Sequence, residues 1–183
     1  MEHDSLKGQL LIAAPMLLDP NFRRTVVLLL EHTPDGAIGV VRNRPSDTEA
    51  REAVPDLRAV LLDDEPIFLG GPVQPETVIA LADHTDPLDG DGAICGSIGS
   101  LEFDDDPDRL QASVSRARVF AGYAGWDSGQ LEDEIEEEAW FTEEALPGDV
   151  FSSDPEHLWS HVLERMGSQY RLLARMPDDP RLK

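Results

Sequence analysis

Arg118-Val-Phe-Ala-Gly-Tyr-Ala-Gly-Trp-Asp-Ser-Gly-Gln-Leu131 is the stretch on which the reading of this chain turns. An apolar, strand-like run passes through three glycines and two large aromatics straight into the start of a helix. Gly122, Gly125 and Gly129 permit backbone angles or close approaches that a side chain forbids, while Tyr123 and Trp126 each carry an apolar body with a polar tip. The helix takes Asp127 as its N-cap, and Gln130, three residues later, is placed to reach back to the cap's backbone. Leu131 and Ile135 share one helical face. The carboxylates between and after them read as a solvated face that suits the positive end of the helix. Glu134 stands apart, one turn after Gln130 on the side nearest the glycines.

Upstream, Gln9–Ala14 reads as a short buried strand that ends at Pro15 and enters a turn at Asp19-Pro-Asn21. The apolar run from Thr25 to His32 and its partner from Ala37 to Arg44 flank Pro34-Asp-Gly36, which predicts an antiparallel hairpin. Asp47–Ala53 and Leu57–Leu62 have helix-forming composition, interrupted at Pro55. Strands are expected at Pro66–Leu69, Val78–Ala82 and Ala93–Ile98, then a helix from Asp106-Pro107 to about Ser115. A strand over Asp149–Ser152 and a helix from about Asp154-Pro155 to Gly167 complete the expectation. Strands dominate the first half and helices punctuate the second. That order predicts a compact α+β fold, with a predominantly antiparallel or barrel-like sheet flanked by helices, in one domain over residues 1–183.

The formal net charge of −22 repels nucleic-acid phosphates and anionic membrane surfaces, so neither is expected as a direct partner. Cys95 is the single cysteine and cannot close an internal disulfide, which fits a reducing compartment. The N-terminal residues lack a basic segment followed by a sustained apolar run, and no stretch is long and apolar enough for a membrane helix. A cytoplasmic location is therefore expected.

Reaction motifs fall short. Cys95-Gly-Ser-Ile-Gly99 lacks the leading glycine of a nucleophile elbow. His157-Leu-Trp-Ser-His161 puts two imidazoles one turn apart, but Leu158 stands where a zinc protease needs glutamate. Asp104-Asp-Asp106 lacks the glycine and closing glutamate of a calcium loop. Gly70-Gly-Pro72 is too short to cradle phosphate and reads as a tight turn. No catalytic residue, resident metal or cofactor is assigned.

The hairpin offers binding chemistry instead. Pairing His32 with Ala37 sets Thr25 opposite Arg44 and Val27 opposite Arg42, and strand alternation adds Arg23 to the same face. The bland reading pairs these cations with the abundant carboxylates; the sharper one is an anion or carboxylate site with Asn43 and the Gly70-Gly71 backbone as further donors. A slip of one residue disperses the cluster.

Three blocks resemble the bacterial YqgE/AlgH family, whose biochemical activity is not established. The first comprises Gly8-Gln-Leu-Leu-Ile-Ala-Ala-Pro15, Asp19-Pro-Asn-Phe-Arg-Arg-Thr-Val-Val-Leu-Leu-Leu-Glu-His32 and Gly36-Ala-Ile-Gly-Val-Val-Arg-Asn-Arg-Pro45. The second is Leu69-Gly-Gly-Pro-Val73, and the third runs from Arg118 to Trp140. The resemblance covers most of the chain. It implies a compact mixed α+β fold and a link to regulation of gene expression, and it brings no catalytic residues. Arg42 departs from the family's usual aliphatic residue, and Thr25 from its common serine.

Two classes of function follow. In the first, a non-catalytic regulator or adaptor binds a protein partner, with Tyr123 and Trp126 as apolar anchors and the arginines Arg23, Arg42 and Arg44 as polar contacts. In the alternative, the same residues with Gly70, Gly71, Gln130 and Glu134 line a pocket for a small anion, where His32 or Glu134 serves as acid or base in an unidentified reaction. The net charge and the lack of a basic helix disfavour direct DNA binding.

Overall fold

A computed structural model of the chain describes residues 5–86, 88, 92–101 and 106–177. Residues 1–4, most of the Asp/Gly-rich sequence before Gly92, and Asp104 and Asp105 of the candidate calcium motif lie outside the described residues. Ten strands form one sheet in the order β10-β1-β2-β3-β9-β6-β8-β7, with β4–β5 joined to it through β9. They are β1 Gln9–Ala13, β2 Val26–Thr33, β3 Gly36–Val41, β4 Pro45–Glu49, β5 Pro66–Leu69, β6 Val73–His84, β7 Ala93–Cys95, β8 Ile98–Ser100, β9 Val114–Asp127 and β10 Trp140–Glu144. The helices are α1 Ala50–Ala53, α2 Pro107–Ser113, α3 Gln130–Glu136, α4 Pro147–Val150, α5 Leu158–Met166 and α6 Ser168–Ala174. The pairings are antiparallel except for β5 with β9.

The glycine-rich stretch is the pivot. Along one side β9 pairs with β6; along the other it pairs with β5 at Phe120 and Ala121, then with β3 from Ala124 to Asp127. The handover falls at Gly122, whose φ of +74° reverses the alternation of faces. Phe120 and Tyr123 consequently join one apolar cluster, whereas Val119 and Trp126 serve two others. A Cβ on Gly122 would lie 2.5 Å from the Gly71 carbonyl oxygen, and one on Gly70 would lie 2.3 Å from that of Gly122. Gly70-Gly71 is thus a close crossing of two backbones.

The first cluster draws Leu10, Leu28, Phe68, Leu81, Ile98 and Phe120 from strands at both ends of the sheet order. That requires a curled, half-barrel sheet with this face inward. Helices α4–α6 fill one end of the hollow, where Trp159 donates to the Ala13 carbonyl at 2.8 Å. The outer face splits into a patch under α1, α2 and the 3-10 segment Pro55–Val60, and another under α3.

Several local expectations need correction. The predicted strand at Asp149–Ser152 is instead the turn of helix α4 followed by irregular chain. Pro147 occupies the first helical turn, and Asp149 accepts the Leu146 backbone N–H at 2.8 Å, a helix-start arrangement that outweighs the strand-like Val-Phe pair. Ala93–Ile98 is two short strands folded at Gly96, where φ is +54°. Residues 45–49 pair with β5 as a strand, leaving a single helical turn at α1. The cap of α3 is Gly129 rather than Asp127, although Gln130 does reach back to the Asp127 N–H at 2.9 Å. Strand β10 and helix α6 were not expected.

The hairpin register also differs. His32 faces Ala37 as predicted, but a bulge between Leu29 and Glu31 shifts the remainder, so Val27 faces Val41 and the Arg42 N–H bonds to Val26. The bulge turns Val27 to the outer face, while Arg42, following Val40 in the alternation of its own strand, points into the inner core, 0% exposed, instead of joining a surface cluster. Its guanidinium donates to the carbonyls of Asp149 and Val150, while Arg118 donates to those of Val150 at 3.2 Å and Ser152 at 2.9 Å. Arg42, just past β3, and Arg118 of β9 thus satisfy carbonyls at and just beyond the end of α4. Burial, and secondarily the charge of Arg118, holds the Arg42 pKa well below the usual arginine range. Its Nε and Nη1 have no protein partner among the described residues. Relieving that desolvation offsets the lost carbonyl contacts, so Arg42→Met is expected to unfold in urea within about 1 kcal/mol of the parent. A loss several times larger would contradict this assignment.

Candidate functional site

The expected binding residues do not form one surface. Trp126, 6% exposed, packs against Phe22 and Trp140 at ring-centroid distances of 6.3 and 6.1 Å. Tyr123 lies on the opposite, inner face. Gln130 serves the start of α3, and Glu134 accepts from the Trp140 indole N–H at 3.4 Å beneath that helix. Asn43 is committed to the hairpin, accepting from the Val26 N–H at 3.0 Å and donating to Arg24 at 2.8 Å. His32 is buried: Nδ1 accepts the Leu6 N–H at 2.9 Å, and Nε2 faces Glu132 at 2.5 Å. That arrangement uses the imidazole structurally and sets its proton on Nε2.

Arg44, Gly70 and Gly71 do come together, and of Arg23 the backbone carbonyl joins them. They meet where β3, β5 and β9 exchange neighbours, beside a cleft of about 220 Å³ on the outer face. Its apolar walls are Val41, Leu69, Pro72, Pro75 and Ala121, and Arg44 and Asn21 supply polar groups. Asn21 is placed by a turn in which Asp19 accepts its backbone N–H at 2.9 Å. The Arg44 guanidinium donates to Pro20 at 2.9 Å and Arg23 at 2.8 Å, so two of its five N–H groups are bound to the Asp19–Arg24 loop. The other three have no partner among the described residues, and burial lowers its pKa. A partly desolvated, positioned guanidinium beside aliphatic walls suits a carboxylate attached to an apolar group. Gly70 is not a free donor: its N–H bonds to Ala121 and its carbonyl accepts from Val41, both at 2.8 Å.

Sequence reasoning missed Asn21, Leu69, Pro72 and Pro75. Leu69, 50% exposed beside two glycines, was the available signal. Burial raises the half-buried Cys95 thiol to a pKa of about 11, which leaves it a poor nucleophile. His157, at the N-cap of α5, and His161 within it have ring centroids 6.0 Å apart, with Asp154 holding His157 Nδ1 at 2.9 Å. Among the described residues no group of three or more His, Cys, Asp and Glu is placed to hold a metal ion, and no helix is long and apolar enough to cross a membrane.

A curled antiparallel sheet carrying helices on both faces defines the class as an α+β half-barrel. Residues 10–171 match the AlgH-like family DUF179, and the chain belongs to that family. The UPF0301 protein SCO2948 of Streptomyces coelicolor is 42% identical over 187 residues, covering 99% of this chain and 97% of that protein. The crystal structure of protein DIP2367 from Corynebacterium diphtheriae superposes with a TM-score of 0.86 at 28% identity, covering 95% of this chain and 94% of that one. The solution structure of the AlgH protein from Pseudomonas aeruginosa gives 0.66 at 32% identity, covering 97% and 98%.

Proposed function

We propose that the protein is a cytoplasmic regulatory or adaptor protein that works by binding, holding the apolar, carboxylate-bearing end of a partner polypeptide in the Arg44 cleft. The observation that carries this reading is convergence. Asn21 and Arg44, Leu69 and Gly71, and Ala121 come from three blocks far apart in sequence, and they meet around one small cleft. The cleft supplies an anion contact and apolar walls, while His32 and Glu134 are tied into α3 and its surroundings. This separation of binding groups from acid–base groups favours a binding role over the enzyme alternative.

The probe is acetyl-Ala-Ala-Ala-Leu with a free C-terminus, titrated while methyl resonances are followed. Shifts are expected at Val41, Leu69 and Ala121, with affinity falling about tenfold in Arg44→Gln. Acetate producing the same shifts at the same concentrations would favour a small anion as the ligand. Unmoved cleft methyls with either probe would reject the site.

A further inference from the structure

Among the described residues, helices α4–α6 fill one end of the concave face. At the other it opens into a cavity of about 920 Å³, within the range of roughly 300–1,000 Å³ found for small-molecule sites. Each surrounding strand contributes to an aliphatic floor: Leu30 from β2, Ile38 from β3, Ile79 from β6 and Ile94 from β7, with Leu88 beside them. The wall closes because Gly8, at φ +84°, lets the Ile94 carbonyl approach to where a Cβ would stand only 2.3 Å away. Ser5, Thr33 and Ser100 also line it, together with half-buried Lys7 and exposed Glu31 at its rim.

We propose that this mouth is a second binding site, for a small amphiphile with an aliphatic body and an ammonium head. The floor offers apolar contact, so the ligand's bulk must be hydrocarbon. Its head is selected at the rim. Glu31 is exposed and has no ion-pair partner among the described residues, whereas Lys7 has contacts of its own. His32 adds no acceptor, because Leu6 and Glu132 engage both ring nitrogens. The net charge of −22 further concentrates cations and repels anions at this opening. The preference is opposite to that of the Arg44 cleft, so the two sites stand or fall separately.

The test uses n-decylammonium and decanoate below their micelle concentrations, followed by isoleucine-methyl NMR. Decylammonium is expected to shift Ile38, Ile79 and Ile94 saturably while Ile67 and Ile135, packed on the outer face, stay in place. Glu31→Gln should weaken it about threefold, the scale of an exposed ion pair. Ser100→Trp, at an exposed lining position, should abolish the shifts, and Arg44→Gln should leave them unchanged. Absent shifts at the three floor residues, or equal affinity for decanoate, would overturn the proposal. So would unchanged binding in both Glu31→Gln and a folded Ser100→Trp protein.

Discussion

Gly122→Ala is expected to destabilise the protein by about 3 kcal/mol or more, enough to lower the melting temperature by some 10 °C, because two penalties fall on one methyl group. The backbone at +74° is left-handed, a conformation that an L side chain adopts only with strain. The added Cβ would also meet the Gly71 carbonyl oxygen at 2.5 Å and that of Val73 at 3.0 Å. These are backbone atoms of the β5–β6 connection and of the first residue of β6, so neither can swing aside as a side chain could. Gly125→Ala is the internal control. Its Cβ would find only side-chain atoms at 3.8 and 3.9 Å, and its φ is not in the left-handed region. Thermal unfolding of the pair should separate them clearly; equal melting temperatures would show that the crossing is not tight.

The second large effect concerns charge. Arg118 and Glu65 are both almost fully buried, and Arg118 Nε donates to Glu65 Oε1 at 2.7 Å. Arg118→Met leaves Glu65 without its cation in the core and removes a donor from Val150 and Ser152. The expected loss is about 3–5 kcal/mol in urea unfolding. Replacing both partners, as Arg118→Met with Glu65→Leu, removes the stranded carboxylate and should recover much of that loss, since a well-packed apolar pair can substitute for a buried ion pair. A double-mutant cycle measures the coupling directly. Additive effects would mean that the pair contributes no specific interaction.

These two sites show what the sequence reveals and what it hides. The hairpin turn was legible because Pro34-Asp-Gly36 punctuates two apolar runs, and the start of α2 because Asp106 precedes Pro107. Gln130 was legible for the same local reason. The bulge at Leu30 was not, because Val26–Leu29 is buried on both faces and carries no alternation that betrays a one-residue slip. That slip parts Val27 from Arg42, which the alternation of its own strand turns inward, and Arg44, beyond the end of β3, stays half-exposed. Trp126 was read as an anchor from its amphipathic ring, but α3 and β10 cover it, and β10 has little apolar period of its own. The cleft depends on a meeting of loops and strand ends, and no periodicity within one segment encodes such a meeting.

The claim that the Arg44 cleft binds a polypeptide end is tested most directly by comparing acetyl-Ala-Ala-Ala-Leu as the free acid and as the C-terminal amide. On the parent protein the acid should bind about tenfold more tightly, and in Arg44→Gln that ratio should collapse towards one. Equal affinities for acid and amide on the parent protein would contradict the account.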